Sequence, residues 1–138
     1  MATIEDKIKQ FKSEVGNKTL STEQAKIYNA FTKVNGKKFA ISVVDCEGVV
    51  LKVTLIPSKE VKKILLKHYR TSDGTVTANQ ILRMFDVVRT GSKRKSQGNV
   101  VYSKVFRKNG VEYRTVVKIF PNGKDAVLKS FHSTIGYK

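Results

Sequence analysis

The final third of the chain contains three segments whose residue types favour β-strands, separated by two short turn signals. The segments are VVYSKVFR (100–107), VEYRTVVKIFP (111–121) and AVLKSFHST (126–134), with KNG and NGKD between them. Valine, isoleucine, tyrosine and phenylalanine fit a pleated surface, and Asn-Gly is typical of a tight hairpin. The sequence therefore predicts a three-strand antiparallel meander in this region.

The residues before the meander show two other patterns. Apolar residues recur at helical spacing over 3–16, 21–36, 57–69 and 77–91, and Thr3, Ser21 or Thr22, and Thr77 are suitable N-caps. The segments KKFAISVVD and VVLKVTLI flank CEG and predict a β-hairpin, whereas GSKRKSQGN predicts a polar, basic loop.

Helices and strands are clustered in this order, and they do not alternate. This clustering predicts an α+β fold: N-terminal helices, then a β-hairpin, two helices and the meander, forming a compact helix-on-sheet core. We divide the chain at the charged VNGKK junction into an N-terminal helical segment, residues 1–34, and a basic α+β domain, residues 35–138.

Positive charge is the strongest functional signal. The chain has 27 Lys and Arg against 11 Asp and Glu, and residues 57–138 hold 18 of these basic residues but only 5 acids. Such a field attracts polyanions and indicates a nucleic-acid partner. A merely soluble basic surface is the alternative. Binding to an anionic membrane is disfavoured because many of the cations lie in predicted strands and not on one long amphipathic helix.

Several classes of protein are excluded or disfavoured. One cysteine, Cys46, cannot form an internal disulfide, and one Cys with two His cannot make a structural zinc site. The chain has no P-loop, no dinucleotide fingerprint and no serine-hydrolase elbow. No apolar run approaches a membrane span and the charged start lacks a signal core, so we expect a cytoplasmic protein without membrane insertion and without a cofactor.

Alternation along the predicted strands suggests a catalytic face. Arg114 shares a face with Lys118, Tyr102 with Lys104, and His132 with Leu128, Ser130 and Thr134. If the register allows, pairing brings together the following side chains: Tyr102, Arg114, Lys118, His132 and Thr134. The other histidine, His68, lies near the end of a predicted helix.

These residue types fit metal-free RNA cleavage. RNA supplies its own nucleophile, the 2′-hydroxyl, and histidines suit the two proton transfers near neutral pH. Arg, Lys and hydroxyl groups stabilise the phosphorane. The catalytic candidates are His68, His132, Thr134, Arg114 and Lys118. A metal-dependent nuclease is disfavoured because the acids of the basic region, Glu60, Asp73, Asp86, Glu112 and Asp125, are scattered.

Each candidate also has a structural interpretation. His68 could be a helix-end histidine stabilised by the helix dipole, and His132 could be a frayed surface residue. The predicted RNA-binding residues are Lys67, Arg70, Lys93, Arg94, Lys95, Tyr102, Lys104, Lys129 and Tyr137. The basic ones could equally be solvated charges, and the tyrosines could stack on a base or simply pack.

From about Lys37 onward, the chain resembles the barnase–EndoU–colicin–RelE-like ribonuclease superfamily, in particular its phage-encoded and polymorphic or contact-dependent toxin members. The resemblance rests on a strand pair, a helix with a histidine (VKKILLKHY), a second helix (ANQILRMFDVV) and a meander that ends in LKSFHSTIGYK. It implies that His68 matches the helix histidine, Arg114 or Lys118 the sheet cations, and His132, Ser133 or Thr134 the last-strand polar position.

The resemblance also implies a metal-independent endoribonuclease toxin that cuts tRNA or another RNA. It would be monomeric when free, would act in the cytoplasm, including that of a target bacterium, and would be blocked by an acidic immunity or antitoxin protein. The alternative is a non-catalytic basic nucleic-acid-binding protein, which could be phage-encoded.

Overall fold

Capping residues begin the N-terminal helices where the sequence predicts them. The computed structural model describes residues 3–33, 36–69, 76–106 and 110–134. Helix α1 spans Ile4–Val15 and α2 spans Thr22–Thr32; Thr3 and Ser21 cap them by reciprocal hydrogen bonds with Asp6 and Gln24. These bonds satisfy amide groups that a helix start leaves without partners.

The middle of the chain is helical but more broken than predicted. A π-helical turn over Pro57–Val61 leads into α3, Lys62–Lys67, and His68 is the C-cap of α3. The helix predicted over 77–91 is two short ones, α4 at Ala78–Leu82 and α5 at Met84–Thr90, because the backbone leaves helical geometry at Arg83. Thr77 caps α4 through a capping box, as predicted.

The strands form one six-stranded sheet. They are β1 Phe39–Val44, β2 Val50–Leu55, β3 Ser92–Ser96, β4 Asn99–Val105, β5 Glu112–Ile119 and β6 Asp125–Ser133. Their order is β1-β2-β6-β5-β4-β3, with β2 and β6 parallel and the other pairs antiparallel. The α+β class, the CEG hairpin and the meander of β4, β5 and β6 are therefore confirmed.

The prediction of a basic loop at GSKRKSQGN was wrong. Residues Ser92–Ser96 form β3 and pair with β4 across a two-residue turn in which Gln97 and Gly98 both have positive φ, 51° and 82°. This is the backbone geometry that a tight hairpin requires. The strand lacks apolar alternation because it lies at the edge of the sheet. Lysines in such an edge strand also discourage pairing with other chains.

The hydrophobic core lies between the sheet and the helices. It includes Phe11 of α1, Phe31 of α2, Phe85 of α5 and Leu51 and Phe131 of the sheet, all with no exposed surface. Helix α1 also contacts the segment after α3, since Lys7 Nζ donates to the Tyr69 carbonyl at 2.9 Å. The two N-terminal helices thus share one core with the sheet. Within the described residues, no helix is long and apolar enough to cross a bilayer.

Lys129 introduces an irregularity into β6 that decides which side chains face the helices. Val116 pairs with Ser130 but Val117 pairs with Leu128, so Lys129 is an extra residue in β6. Such a bulge reverses the alternation of faces along the strand. Leu128 is buried on the helix side, and the prediction that it shares a face with His132 was wrong; Ser130 does share that face.

Candidate functional site

One face of the sheet packs against the helices, and the side chains of the other face point away from them. On the helix side, the Thr115 hydroxyl donates to the Met84 carbonyl of α5 at 2.8 Å. Side chains that alternate with Thr115, and their cross-strand partners, point the other way. We call this the open face; its polar and charged members are Ser42, Lys52, Thr54, Ser92, Arg94, Ser96, Asn99, Ser103, Glu112, Arg114, Lys118, Asp125, Ser130, His132 and Thr134.

The two histidines lie together at one end of the open face. The ring centroids of His68 and His132 are 5.5 Å apart, with the ring planes inclined by 36°. β2 pairs with β6 only over residues 125–127, and the π-helical turn and α3 also contact β6. The C-terminal end of α3 therefore places His68 beside His132. Residues 64 positions apart in the sequence therefore form one pair of imidazoles.

His132 is held in an environment that favours its neutral form. Its Nδ1 is 3.1 Å from the Ser130 hydroxyl, and Arg114 is its cross-strand partner on β5. Burial, followed by the positive charges of His68 and Arg114, lowers the pKa of His132 to about 4. A neutral imidazole at physiological pH can accept a proton.

Arg114 provides a cation directly beside this imidazole. Its Nε donates to Glu112 Oε2 at 2.7 Å, and about a third of its side chain is exposed. The backbone N–H of Thr134 donates to the Glu112 carbonyl at 3.0 Å, and Thr134 is exposed on the open face, two residues after His132. The structure thus brings together four of the five predicted catalytic residues: His68, His132, Arg114 and Thr134.

Lys118 lies on the same face but farther along β5. It pairs with Val127 and is exposed. Four residues of strand separate it from Arg114, which corresponds to about 13 Å. Lys52 of β2 and Arg94 of β3 are likewise exposed on this face. These cations lie on the same face as the histidine pair but well away from it, at positions that suit contacts to other phosphates of a bound RNA better than contact with the reacting atoms.

Tyr102 was wrongly placed with this group. It pairs with Thr115, not with Arg114, so both Tyr102 and Lys104 lie on the helix side of β4. Tyr102 has no exposed surface, and its hydroxyl donates to Asp45 Oδ2 at 2.8 Å. Stacking of this ring on a base is incompatible with its burial. Lys104 donates instead to the Thr90 hydroxyl of α5 at 2.6 Å.

Lys93 also has a structural partner. Its Nζ lies 2.8 Å from Asp45 Oδ2 and 3.2 Å from Glu47 Oε1, and only 16% of its side chain is exposed. Burial opposes ionisation of Asp45, but hydrogen bonds from Lys93, the Val49 amide and Tyr102 outweigh it and lower its pKa to about 2. We call Asp45, Glu47, Lys93 and Tyr102 the Asp45 cluster; it connects the β1–β2 turn to β3 and β4. Within it, the two carboxylates compensate the charge of Lys93.

Asp45→Asn should lower the free energy of unfolding by about 2–3 kcal/mol, because Lys93 and Tyr102 lose a buried ionised acceptor. Urea titration at neutral pH measures this change. The difference from the wild type should narrow as the pH falls from about 4 to about 2, because wild-type Asp45 then becomes protonated and loses its contribution.

The matched control is Glu47→Gln in the same turn. The Glu47 side chain is 62% exposed, so its loss should cost less than about 0.5 kcal/mol. Equal stability of the Asp45→Asn variant and the wild type at neutral pH would contradict a stabilising role for the Asp45 cluster.

The remaining predicted RNA-binding residues fall into three groups. Lys67, Arg94 and Lys95 are exposed. Lys129 at the bulge is 40% exposed and lies 3.6 Å from the carboxylate of Glu60, which is largely buried. Arg70 and Tyr137 lie outside the described residues, as does most of the KNG connection.

Sequence reasoning overlooked Glu112, Asp45 and the hydroxyls of Ser92 and Ser103. Glu112 stands two positions before Arg114, so its place on the same face as Arg114 was readable from alternation. The role of Asp45 was not readable, because it depends on contacts with residues about 50 positions away. Among the described residues, no three His, Cys, Asp or Glu side chains converge to hold a metal ion.

Comparison with known proteins adds no relative to this picture. No family model, curated protein or solved structure matches this chain. Its function must therefore be inferred from the open face itself.

Proposed function

We propose that this protein is a metal-independent endoribonuclease that cleaves RNA through attack of the 2′-hydroxyl on the adjacent phosphate. The observation that carries the proposal is the His68–His132 pair, with ring centroids 5.5 Å apart, beside Arg114 on a cationic face. Two imidazoles that can reach one phosphate supply the base and the acid that this reaction requires.

In the proposed reaction, His132 acts as the base and His68 as the acid. Neutral His132 takes the 2′-hydroxyl proton while the 2′-oxygen bonds to phosphorus. The bond from phosphorus to the 5′-oxygen breaks, and protonated His68 gives its proton to the departing oxygen. The products are a 2′,3′-cyclic phosphate and a 5′-hydroxyl, and the two histidines end with their protonation states exchanged.

Arg114 and the neighbouring hydroxyls have supporting roles in this reaction. Arg114 lies opposite His132 and offers N–H groups to the phosphate oxygens, where negative charge increases in the phosphorane. Ser130 contacts Nδ1 of His132 and so orients the ring that takes the 2′-hydroxyl proton. Thr134 offers a further hydroxyl on the same face.

Non-catalytic nucleic-acid binding explains the charge as well, but it does not require the histidine pair. The predicted acidic inhibitor remains compatible with the proposed site, since an acidic surface covering Arg114 and Lys118 would compete with RNA. Its existence, like the tRNA target and the toxin role, remains a prediction.

Incubation with total RNA in EDTA tests the proposal. We expect cleavage to persist and the new ends to be 2′,3′-cyclic phosphates and 5′-hydroxyls, because the nucleophile and both proton carriers need no metal. An oligonucleotide with one 2′-deoxyribose at a mapped cleavage site should resist cutting there. Binding without cleavage would favour the non-catalytic alternative, and rescue by Mg²⁺ of activity lost in EDTA would overturn the mechanism.

A further inference from the structure

A polar pocket of about 270 Å³ lies next to Arg114, on the side away from His132. Thr90 at the end of α5, Ser92 of β3, Ser103 and Lys104 of β4 and Glu112 of β5 contribute to its lining. Pockets for small-molecule ligands usually measure about 300–1,000 Å³. This pocket is therefore suited to a single base or sugar and not to a dinucleotide.

Strand register places the pocket in line with the proposed catalytic pair. Ser92 pairs with Ser103, Ser103 with Arg114, and Arg114 with His132, so these four side chains form one row across β3, β4, β5 and β6. Neighbouring strands are about 4.8 Å apart, which puts Ser103 about 10 Å from His132. A nucleotide adjoining the reacting phosphate can reach that distance.

The lining combines hydroxyls, the Glu112 carboxylate and the Lys104 ammonium group, and that ammonium group donates to the Thr90 hydroxyl. Among the described residues, the hydrogen bond found at the Glu112 carboxylate runs from Arg114 Nε to Oε2. Oε1 is thus left as an acceptor for a ligand, and the hydroxyls of Ser92 and Ser103 can donate or accept. An ionised carboxylate accepts hydrogen bonds only, so it favours bases that present an N–H donor.

We propose that this pocket binds the base of a nucleotide flanking the cleaved bond, and that Glu112 selects bases with an exocyclic amino group over uracil. The proposal rests on the proposed ribonuclease function. Cytosine and uracil are the decisive pair, because cytosine presents an amino group where uracil presents a carbonyl oxygen. That oxygen would face the Glu112 carboxylate, acceptor against acceptor.

Titration of the full chain with CMP and with UMP, followed by NMR, tests the pocket without requiring cleavage. We expect CMP to bind about 5- to 100-fold more tightly and to shift the amides of Ser92, Ser103 and Glu112. Glu112→Gln should reduce the CMP/UMP ratio to below about twofold, since an amide can both donate and accept. Glu47→Gln, the same change of charge at a residue of the β1–β2 turn that does not line the pocket, should leave the ratio unchanged.

Cleavage of matched oligonucleotides with C or U beside the cut provides the second measurement. Glu112→Gln should remove the preference for C. An equal loss of rate on both substrates would show that Glu112 only orients Arg114, and equal binding of CMP and UMP by the wild type would also overturn the proposal. If the protein binds CMP selectively but cleaves no RNA, the proposed base-binding pocket would be supported and the ribonuclease function rejected.

Discussion

Replacing His132 with alanine is expected to lower the rate constant for RNA cleavage by about 10²–10⁴-fold, the usual contribution of a positioned acid or base. The dissociation constant for RNA should change by no more than a few-fold, because His132 is neutral at physiological pH and contributes no phosphate charge. Single-turnover cleavage of a labelled RNA and equilibrium binding measure the two quantities separately.

His68→Ala should give a loss of similar size, and the double variant should lose little more, because the two histidines act as a unit in one reaction. The pH dependence of wild-type kcat/KM should show an acid limb near pH 4, below which His132 becomes protonated and cannot act as a base. Circular dichroism of each variant checks that it is folded. Full activity in either single variant would reject the proposed acid–base pair.

Replacing Lys52, Arg94 and Lys118 together with glutamine should weaken RNA binding by about 100-fold at 0.1 M salt. The slope of log affinity against log salt should become shallower by about 2, since each phosphate contact to a single strand contributes about 0.7. These three cations are exposed on the open face, away from the histidine pair. Affinities measured across a series of salt concentrations give both values.

Lys93→Gln is the matched control for this experiment. Lys93 lies in the basic run SKRKS beside Arg94, but Asp45 and Glu47 already compensate its charge. Its replacement should therefore leave the salt slope unchanged while lowering stability. A slope that falls with Lys93→Gln, or that the triple variant leaves unaltered, would place the RNA on another surface.

Local patterns in the sequence were sufficient for the α+β class and for most of the helices and strands. Thr3, Ser21 and Thr77 begin helices because a side chain close in sequence satisfies the first free amides. The Asn122-Gly123 turn forms because Asn122 Oδ1 accepts from the amides of Lys124 and Asp125. Such interactions span only a few residues, so their residue types identify them.

The local pattern did not predict β3, because this strand lacks the usual strand signals. An edge strand needs no apolar alternation, and its turn is made by Gln97 and Gly98, a pair that is a weaker hairpin signal than Asn-Gly. Its pairing with β4 stabilises a segment whose composition is otherwise typical of a loop.

The candidate site depended on interactions that sequence patterns do not encode. The amino-acid sequence by itself determined that this chain is a basic α+β protein with two histidines among cations. Only the tertiary structure decided that Arg114 faces His132 while Tyr102 and Lys93 hold the Asp45 cluster, because register and one extra residue at Lys129 reassign faces along whole strands. The same is true of the histidine pair, since α3 meets β6 only through packing of the core.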